Sequence, residues 1–325
     1  GMACRQTGFG MLCEGNVQEV MDLSPVAHLA ALSGKVPFIN FFDGFRTSHE
    51  IQKIAVWDYK DLADMCDMDA VKAFREHALN PEHPAMRGSH ENGDTFFQHR
   101  EACNQYYDAL PEVVEKYMGK INEKLGTDYK LFNYYGAPDA DRVIIAMGSI
   151  CDVAEEVIDY LNAHGEKVGL IKVRLYRPFK AERLIEAIPA TAKKIAVLDR
   201  TKEPGAQGEP LYLDVVTALA NAGITDKTVI GGRYGLGSKD TPPASVFAVY
   251  TELAKAEPKR QFTIGIVDDV TNLSLPEDKN CPNTAAEGTI ECKFWGLGGH
   301  GTGGGETAAG ALDGASGGGG GRRLV

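Results

Sequence analysis

Short apolar runs alternate with amphipathic segments between residues 143 and 267, and this alternation constrains the fold more than any other feature. The apolar runs predict five strands, at residues 143–147, 168–175, 195–199, 228–231 and 262–267. The segments between them have helical periodicity, at residues 151–164, 181–188, 211–222 and 244–255. Gly165 and Gly223 are placed to end two of these helices. The pattern predicts an α/β fold with a mostly parallel five-stranded sheet covered on both faces.

The first 130 residues predict a second, less regular α/β unit. Residues 17–32 have apolar side chains at helical spacing, and Pro25 marks a point where that helix would kink. The run 36–42 predicts a buried strand that ends at Asp43-Gly44, the carboxyl end where ligands usually sit. We expect one or two short helices at 58–75, a long loop at 80–100, a helix opened by Pro111 at 111–125, and a linker at 131–138.

Composition excludes several classes of protein. The 325 residues are 43% hydrophobic and 24% charged, which is typical of a soluble chain of two domains. A net charge of −11 argues against a nucleic acid or an anionic membrane as partner. No apolar run reaches the roughly 20 residues that cross a bilayer, and no signal peptide is visible. Seven widely spaced cysteines without a C-x-x-C motif indicate reduced thiols in a cytoplasmic protein, with no metal site.

Polar residues near the start of the chain allow two interpretations each. Asp43, Arg46, His49 and Glu50 could supply acid–base chemistry or line a subunit contact, but a loop whose charges pair with one another is favoured. The turn around Glu14-Gly15, preceded by RQTGF at 5–9, could bind an anion at a helix start. An ordinary helix entry is again favoured. Arg5 fits either a substrate carboxylate or a structural salt bridge.

Two glycine-containing loops were considered as ligand sites. Residues 199–210 follow a strand and precede a helix, but they lack P-loop spacing, so an interface or structural role is favoured. Residues 296–301 match G-x-G-x-x-G, but no helix and second strand follow to complete a dinucleotide site. A phosphate-cradling turn of an incomplete domain fits that match better.

The two ends of the sequence look cut. Gly1 is not a natural start, and residues 303–325 consist mostly of Gly, Ala, Ser and Thr. Such a tail cannot bury enough apolar surface to fold, so we expect it to be disordered or the product of a frameshift.

Several motifs occur in the order found in one enzyme family. They are RQTGF at 5–9, VQE at 17–19, FFDGFRTSHE at 41–50, NPEHP at 80–84, GAP at 136–138, LIKVRLYRPF at 170–179, VLDRTKEPG at 197–205, GRYGLGSK at 232–239 and FWGLG at 294–298. Through them, residues 1–302 resemble pyruvate:ferredoxin (flavodoxin) oxidoreductase. The resemblance implies two transketolase-like doubly wound domains. Residues 1–130 would be part of a thiamine-diphosphate pyrimidine-binding-type domain, 131–287 a transketolase C-terminal-like domain, and 288–302 the start of a third, coenzyme A-associated domain.

The resemblance implies an activity that the chain would not perform alone. The family oxidatively decarboxylates pyruvate with coenzyme A to acetyl-CoA and CO2, and its electrons pass through iron–sulfur clusters to ferredoxin or flavodoxin. The complete enzyme uses thiamine diphosphate, Mg2+, [4Fe-4S] clusters and coenzyme A, and it forms a homodimer. The family's catalytic contacts to substrate and thiamine lie outside this sequence. We therefore expect an inactive fragment that binds none of these cofactors by itself.

One cofactor contact maps onto the chain. The family's coenzyme A loop corresponds to Gly299, His300, Gly301, Thr302 and Gly303. His300 stands where the family usually has Asp, and Gly303 where it usually has a β-branched residue. Two other hypotheses stay open: a non-catalytic α/β assembly or interaction subunit, and a nucleotide-binding dehydrogenase based on residues 296–301.

Overall fold

The larger of two sheets confirms the predicted parallel α/β architecture. A computed structural model describes residues 1–86, 90–286 and 288–290. Within them, the larger sheet has the order β3-β5-β4-β7-β8-β9. Its strands are β3 (Phe132–Gly136), β4 (Arg142–Ala146), β5 (Val168–Val173), β7 (Lys194–Asp199), β8 (Thr228–Arg233) and β9 (Gln261–Thr263). All neighbours are parallel except β3, which lies antiparallel to β5 at the edge.

The predicted linker at 131–138 is wrong, because β3 occupies most of it. Its aromatic residues suit an extended strand, and it pairs with β5 along its whole length, from Phe132 opposite Val173 to Gly136 opposite Gly169. The turn-forming residues of this segment therefore end an edge strand instead of separating two units. The larger sheet thus has a sixth, antiparallel strand beside the five predicted ones.

A smaller sheet joins the start of the chain to its middle. Its order is β2-β1-β6, with β1 (Gly10–Cys13), β2 (Phe38–Phe41) and β6 (Leu175–Arg177). β1 and β2 are parallel, whereas β6 is antiparallel to β1. β6 follows β5 after one residue, Arg174, so the single predicted strand at 168–175 is divided between the two sheets.

Helices occur where the sequence predicts them, but several begin or end at other residues than predicted. In the described part of the chain they are α1 (Val17–Gly34), α2 (Tyr59–Met65), α3 (Met68–Glu76), α4 (Phe96–Ala102), α5 (Asn104–Leu125), α6 (Ile150–Ala163), α7 (Ala181–Ala187), α8 (Pro210–Asn221) and α9 (Pro243–Ala254). α1 continues through Pro25. α5 begins seven residues before Pro111, which lies buried inside it, and α4 takes the end of the predicted loop. None of the described helices is long and apolar enough to cross a membrane.

The core forms two layers, one on each face of the larger sheet. Val143 and Ile145 of β4 face the layer that contains α1 and α5, whereas Ile144 and Ala146 face the layer with α6 and α9. Alternate residues of one strand are thus buried on opposite sides, as expected for a parallel sheet covered on both faces. The first layer continues into the smaller sheet through Met11 and Leu12. The two sheets are therefore joined by one continuous hydrophobic layer.

The C-terminal end of the sequence lies outside the described residues. Residues 291–325 include the predicted tail, the G-x-G-x-x-G match at 296–301 and all five residues of the predicted coenzyme A loop. The domain boundaries at 130/131 and 287/288 stay predictions.

Candidate functional site

A cleft of about 620 Å³ opens at the carboxyl ends of strands from both sheets. Its walls are the segments that follow β2, β4, β7 and β8, together with the start of the chain. The lining residues are Gly1–Ala3, Cys13, Phe41–Gly44, Met147, Leu198–Lys202 and Gly235–Ser238. Ligands of α/β proteins usually bind at this edge of a sheet, because side chains from several strands converge there.

Asp43 ties the smaller sheet to the larger one. Its Oδ2 atom accepts hydrogen bonds from the backbone N–H of Ser149 at 2.8 Å and from Ser149 Oγ at 2.6 Å. Its Oδ1 atom lies 2.9 Å from Nη1 of Arg200. Gly148 permits this approach, since a Cβ atom there would lie 2.7 Å from Asp43 Oδ2. Asp43 thus shapes one wall of the cleft, and both its oxygens are already engaged.

Arg200 holds the opposite wall. Besides its ion pair with Asp43, its Nε atom donates to the carbonyl oxygen of Gly235 at 3.0 Å, and its Nη2 atom lies 3.4 Å from Ser238 Oγ. These contacts fix the turn at 235–238, in which Gly235 and Gly237 have positive φ. Among the described lining residues, Lys202 is the other cation, and it is exposed. Lys202 is therefore a candidate contact for an anionic group in the cleft.

Asp199 places a titratable carboxyl at the end of β7. Its oxygens accept hydrogen bonds from the backbone N–H groups of Leu211 at 2.9 Å and Tyr212 at 3.1 Å, which caps the start of α8. Burial raises the pKa of the Asp199 carboxyl to about 7, although these two donors lower it in part. The group can therefore exchange a proton near neutral pH, and it lines the cleft.

Asp43 and Arg46, two charged residues of the loop after β2, pair with residues outside that loop. Arg46 forms an ion pair with Asp240 and donates to the carbonyl oxygen of Ser238 at 3.1 Å. His49 Nδ1 lies 2.7 Å from Ser48 Oγ, and its ring stacks on Phe45. The expectation that the charges of this loop pair with one another is thus wrong for Asp43 and Arg46. Of this group, Asp43 lines the cleft, whereas the described lining leaves out Arg46, His49 and Glu50.

The turn before α1 is an ordinary helix entry, as the favoured interpretation predicts. Asn16 caps the helix by accepting from the N–H of Glu19 at 2.9 Å, and the N–H of Gly15 donates to Glu19 Oε2 at 2.7 Å. Arg5 pairs with Glu203 at 2.5 Å, which is the salt-bridge alternative. The loop at 199–210 therefore acts as a structural contact to the start of the chain, in addition to lining the cleft.

A buried ionic cluster around Arg174 was not predicted from the sequence. Arg174 Nη1 lies 2.7 Å from Glu19 Oε2, and both side chains are buried. Burial opposes ionisation of Glu19, but the Arg174 guanidinium outweighs it and holds the pKa of Glu19 below its ordinary value. Burial, and after it the charge on Glu19, raises the pKa of the fully buried Glu14 well above its ordinary value. Two basic residues, Lys172 and Arg174, inside the mostly apolar run at 170–176 were the available signal.

Comparisons with known proteins cover most of the chain. Residues 1–119 match the family model described as pyruvate flavodoxin/ferredoxin oxidoreductase, thiamine diphosphate-binding. Residues 140–246 match the model for core domain II of pyruvate:ferredoxin oxidoreductase.

Curated relatives extend these matches. Pyruvate-flavodoxin oxidoreductase of Enterobacter agglomerans is 56% identical over 92% of this chain and 26% of its own length. Pyruvate:ferredoxin oxidoreductase of Moorella thermoacetica is 58% identical over 93% of this chain and 26% of its own. A solved 2-oxoglutarate:ferredoxin oxidoreductase from Magnetococcus marinus is 18% identical over 68% of this chain and 38% of its own, with a TM-score of 0.39. The chain spans about a quarter of the length of the curated relatives it matches.

Proposed function

We propose, from the premise that this chain belongs to the pyruvate:ferredoxin (flavodoxin) oxidoreductase family, that it forms part of an enzyme that converts pyruvate and coenzyme A into acetyl-CoA and CO2. The observation that carries this proposal is the identity of 56–58% to two pyruvate oxidoreductases over 92–93% of the chain. The reaction breaks the bond between the carboxylate and carbonyl carbons, and a thioester forms at the carbonyl carbon. The two electrons released pass one at a time to ferredoxin or flavodoxin.

The described residues supply structure to this enzyme, not its metal chemistry. No group of three or more His, Cys, Asp or Glu side chains within the described ranges is arranged to hold a metal ion. These residues therefore do not fit the Mg2+ that accompanies a bound diphosphate, nor a [4Fe-4S] cluster. In our proposal, thiamine diphosphate, Mg2+ and the clusters are held with the help of other parts of the complete protein. This chain alone is inactive and binds none of them.

The contribution of the described residues is positional. Asp43, Ser149 and Arg200 hold the two sheets in one relative position, and Arg200 also fixes the turn at 235–238. The cleft can accept an anionic, partly apolar molecule, with Lys202 near its charge and Phe41, Met147 and Leu198 beside its apolar part. Coenzyme A is in addition proposed to contact Gly299, His300, Gly301, Thr302 and Gly303. The complete enzyme is proposed to be a cytoplasmic homodimer.

Steady-state kinetics on the complete protein that contains this chain would test the activity. We expect reduction of ferredoxin or flavodoxin that requires both pyruvate and coenzyme A, with acetyl-CoA as product. The 325-residue chain alone, assayed with thiamine diphosphate and Mg2+, serves as the control and should show no turnover. A complete protein that oxidises another 2-oxoacid but leaves pyruvate unchanged would refute the assignment of pyruvate.

A further inference from the structure

Large apolar side chains are concentrated on one surface segment of the protein. Within the described residues of 45–106, ten of them are more than half exposed: Phe45, Ile51, Val56, Tyr59, Met68, Phe74, Leu79, Met86, Phe96 and Phe97. We call the described residues of this range, 45–86 and 90–106, the apolar segment. Its helices α2, α3 and α4 bury none of their residues, whereas the neighbouring α5 buries six. Exposed apolar surface on this scale marks an interaction site.

The apolar segment is held on the protein by polar contacts along its inner side. The N–H of Ala55 donates to Gln18 Oε1 of α1 at 2.8 Å, and Trp57 Nε1 donates to the carbonyl oxygen of Met21 at 3.2 Å. Asp61 of α2 pairs with Lys124 of α5 at 2.6 Å. These contacts fix one face of the segment, so its apolar side chains point away from the core as part of a defined surface.

A groove lies within this surface, beside α3. It encloses about 400 Å³ between the helix and the turn that contains Asn80 and His83. Met68, Val71 and Ala78 contribute apolar lining, and Lys72, Arg75 and Glu76 contribute charged lining. Methionine adapts its shape to a partner more easily than branched side chains do. The groove therefore offers a place where an apolar side chain of a partner can insert.

The charge of the apolar segment restricts what can cover it. The segment contains eleven Asp and Glu residues and six Lys and Arg residues. Five of the acidic residues are aspartates between positions 58 and 69, where Lys60 is the only cation. Asp58 and Asp67 cap helices and Asp61 is paired, but Asp64 and Asp69 are exposed. A partner must therefore bring positive charge around its apolar residues.

We propose that the apolar segment is a docking surface for a polypeptide surface with an apolar centre and a Lys/Arg-rich rim, contributed by parts of the complete protein beyond this chain. The curated relatives are about four times as long as the part of them that this chain matches, so they contain polypeptide that can supply such a surface. A second copy of this chain fits less well, because it would bring like charges together at a net charge of −11 per chain. An anionic membrane would repel the same aspartates.

Cysteine labelling would test this proposal without reference to enzyme activity. Tyr59→Cys and Phe97→Cys place a thiol on the apolar segment, and Asn221→Cys places one on the exposed end of α8 as a matched control. A maleimide reagent with peptide mapping by mass spectrometry separates each site from the native cysteines. We expect labelling at positions 59 and 97 to be about tenfold slower in the complete protein than in this chain alone, which corresponds to about 1.4 kcal/mol of protection. Labelling at position 221 should be equal in both.

A charge reversal tests the chemistry of the partner. Asp64 lies in the last turn of α2, where a lysine also suits the helix dipole, so Asp64→Lys should not unfold the helix. In the complete protein we expect Asp64→Lys to speed labelling at position 59, most strongly at low salt. Glu257→Lys, an equal charge change at an exposed site elsewhere, should leave it unchanged.

Three results would overturn the proposal. The first is equal labelling of the apolar segment in the complete protein and in this chain. The second is protection of this chain alone that grows with its concentration, since a second copy would then be the occupant. The third is protection that depends on added anionic lipid vesicles.

Discussion

Arg174 is the single residue between β5 of the larger sheet and β6 of the smaller sheet. Its backbone carbonyl accepts from the N–H of Cys13 in β1 at 2.8 Å, and its side chain pairs with Glu19 in α1. It also lies over the Tyr129 ring, 4.9 Å from the centroid. Glu14 and Glu19 are buried beside it, and the positive charge of the guanidinium offsets the cost of burying their carboxyl groups.

Replacing Arg174 should therefore destabilise the protein severely. We expect Arg174→Met to lower the free energy of unfolding at pH 7 by about 3–5 kcal/mol, because it leaves the Glu19 carboxylate buried and unpaired. Without its partner, Glu19 would have a raised pKa in the folded state, so the variant should regain stability as the pH falls. Urea denaturation at pH 7 and at pH 5 measures both effects. Lys193→Met, at an exposed ion pair, is the control and should change little; an equally small effect of Arg174→Met would contradict the role of the cluster.

Asp199 should make stability depend on pH near neutrality. Its folded-state pKa of about 7 lies above the ordinary value of 3.8, so the folded protein binds a proton more tightly than the unfolded chain between these values. Stability from this group is therefore present at low pH and is lost as the pH rises towards 7. Relative to Asp199→Asn, the parent protein should lose on the order of 2–3 kcal/mol between pH 5 and pH 8.

Denaturation of both proteins across that range would measure the difference. Asparagine keeps one acceptor for the N–H groups at the start of α8, so the variant should fold. A constant difference between the two proteins at all pH values would show that Asp199 does not titrate in this range.

At the scale of elements, β8 is packed too closely for any side chain at Gly232. A Cβ atom there would overlap the Phe262 ring of β9 and lie 2.7 Å from Cδ2 of Leu198 in β7. Both neighbours are buried, so neither can move aside freely. Because glycine has no side chain, β8 can pair at this position with Leu198 on one side and Phe262 on the other.

We expect Gly232→Ala to lower the free energy of unfolding by about 1–3 kcal/mol through overpacking. Gly119→Ala is the matched control, because Gly119 lies inside α5 and a Cβ atom there would contact nothing within 4 Å. That change should instead raise stability by about 0.5–1 kcal/mol, since alanine has the better helix propensity. Thermal unfolding of the two variants should shift in opposite directions, and a shift in the same direction would count against the packing argument.

At the scale of the whole molecule, three arginine–carboxylate pairs connect the first 50 residues to the loops of the larger sheet. They are Arg5–Glu203, Asp43–Arg200 and Arg46–Asp240. The Asp43–Arg200 pair is the most shielded of the three from water, with both side chains 17% exposed. We therefore expect it to contribute most to the contact between the two sheets.

A double-mutant cycle with Asp43→Asn and Arg200→Gln would measure that contribution. We expect a coupling energy of about 1–3 kcal/mol, because the two groups share a short ion pair and the Ser149 and Gly235 contacts around it. The same cycle at Lys193 and Asp226, which is exposed, should give a value close to zero. Additive effects at Asp43 and Arg200 would mean that the pair does not link the sheets energetically.

The sequence determined the parallel architecture because the relevant signals are local. Four consecutive apolar residues follow Arg142 in β4, which is typical of a strand buried on both faces, and glycines follow α6 and α8. Strand and helix types could therefore be predicted from local patterns. The family could likewise be predicted, because the DGFRTSHE and LYRPF runs are contiguous in the chain. The loops at 43–50 and 199–210 were recognised as candidates from their positions after strands.

The pairings between distant residues were decided only by the tertiary structure. Asp43 meets Ser149 and Arg200, which lie more than 100 residues further along the chain, and no periodicity encodes such a contact. The linker prediction at 131–138 was wrong for the same reason, because β3 becomes a strand through its pairing with β5. Residues 58–75 could be predicted as one or two short helices, but helical periodicity cannot tell a buried face from an exposed one. Burial depends on what else packs against a surface, and only the folded protein shows this segment facing outward.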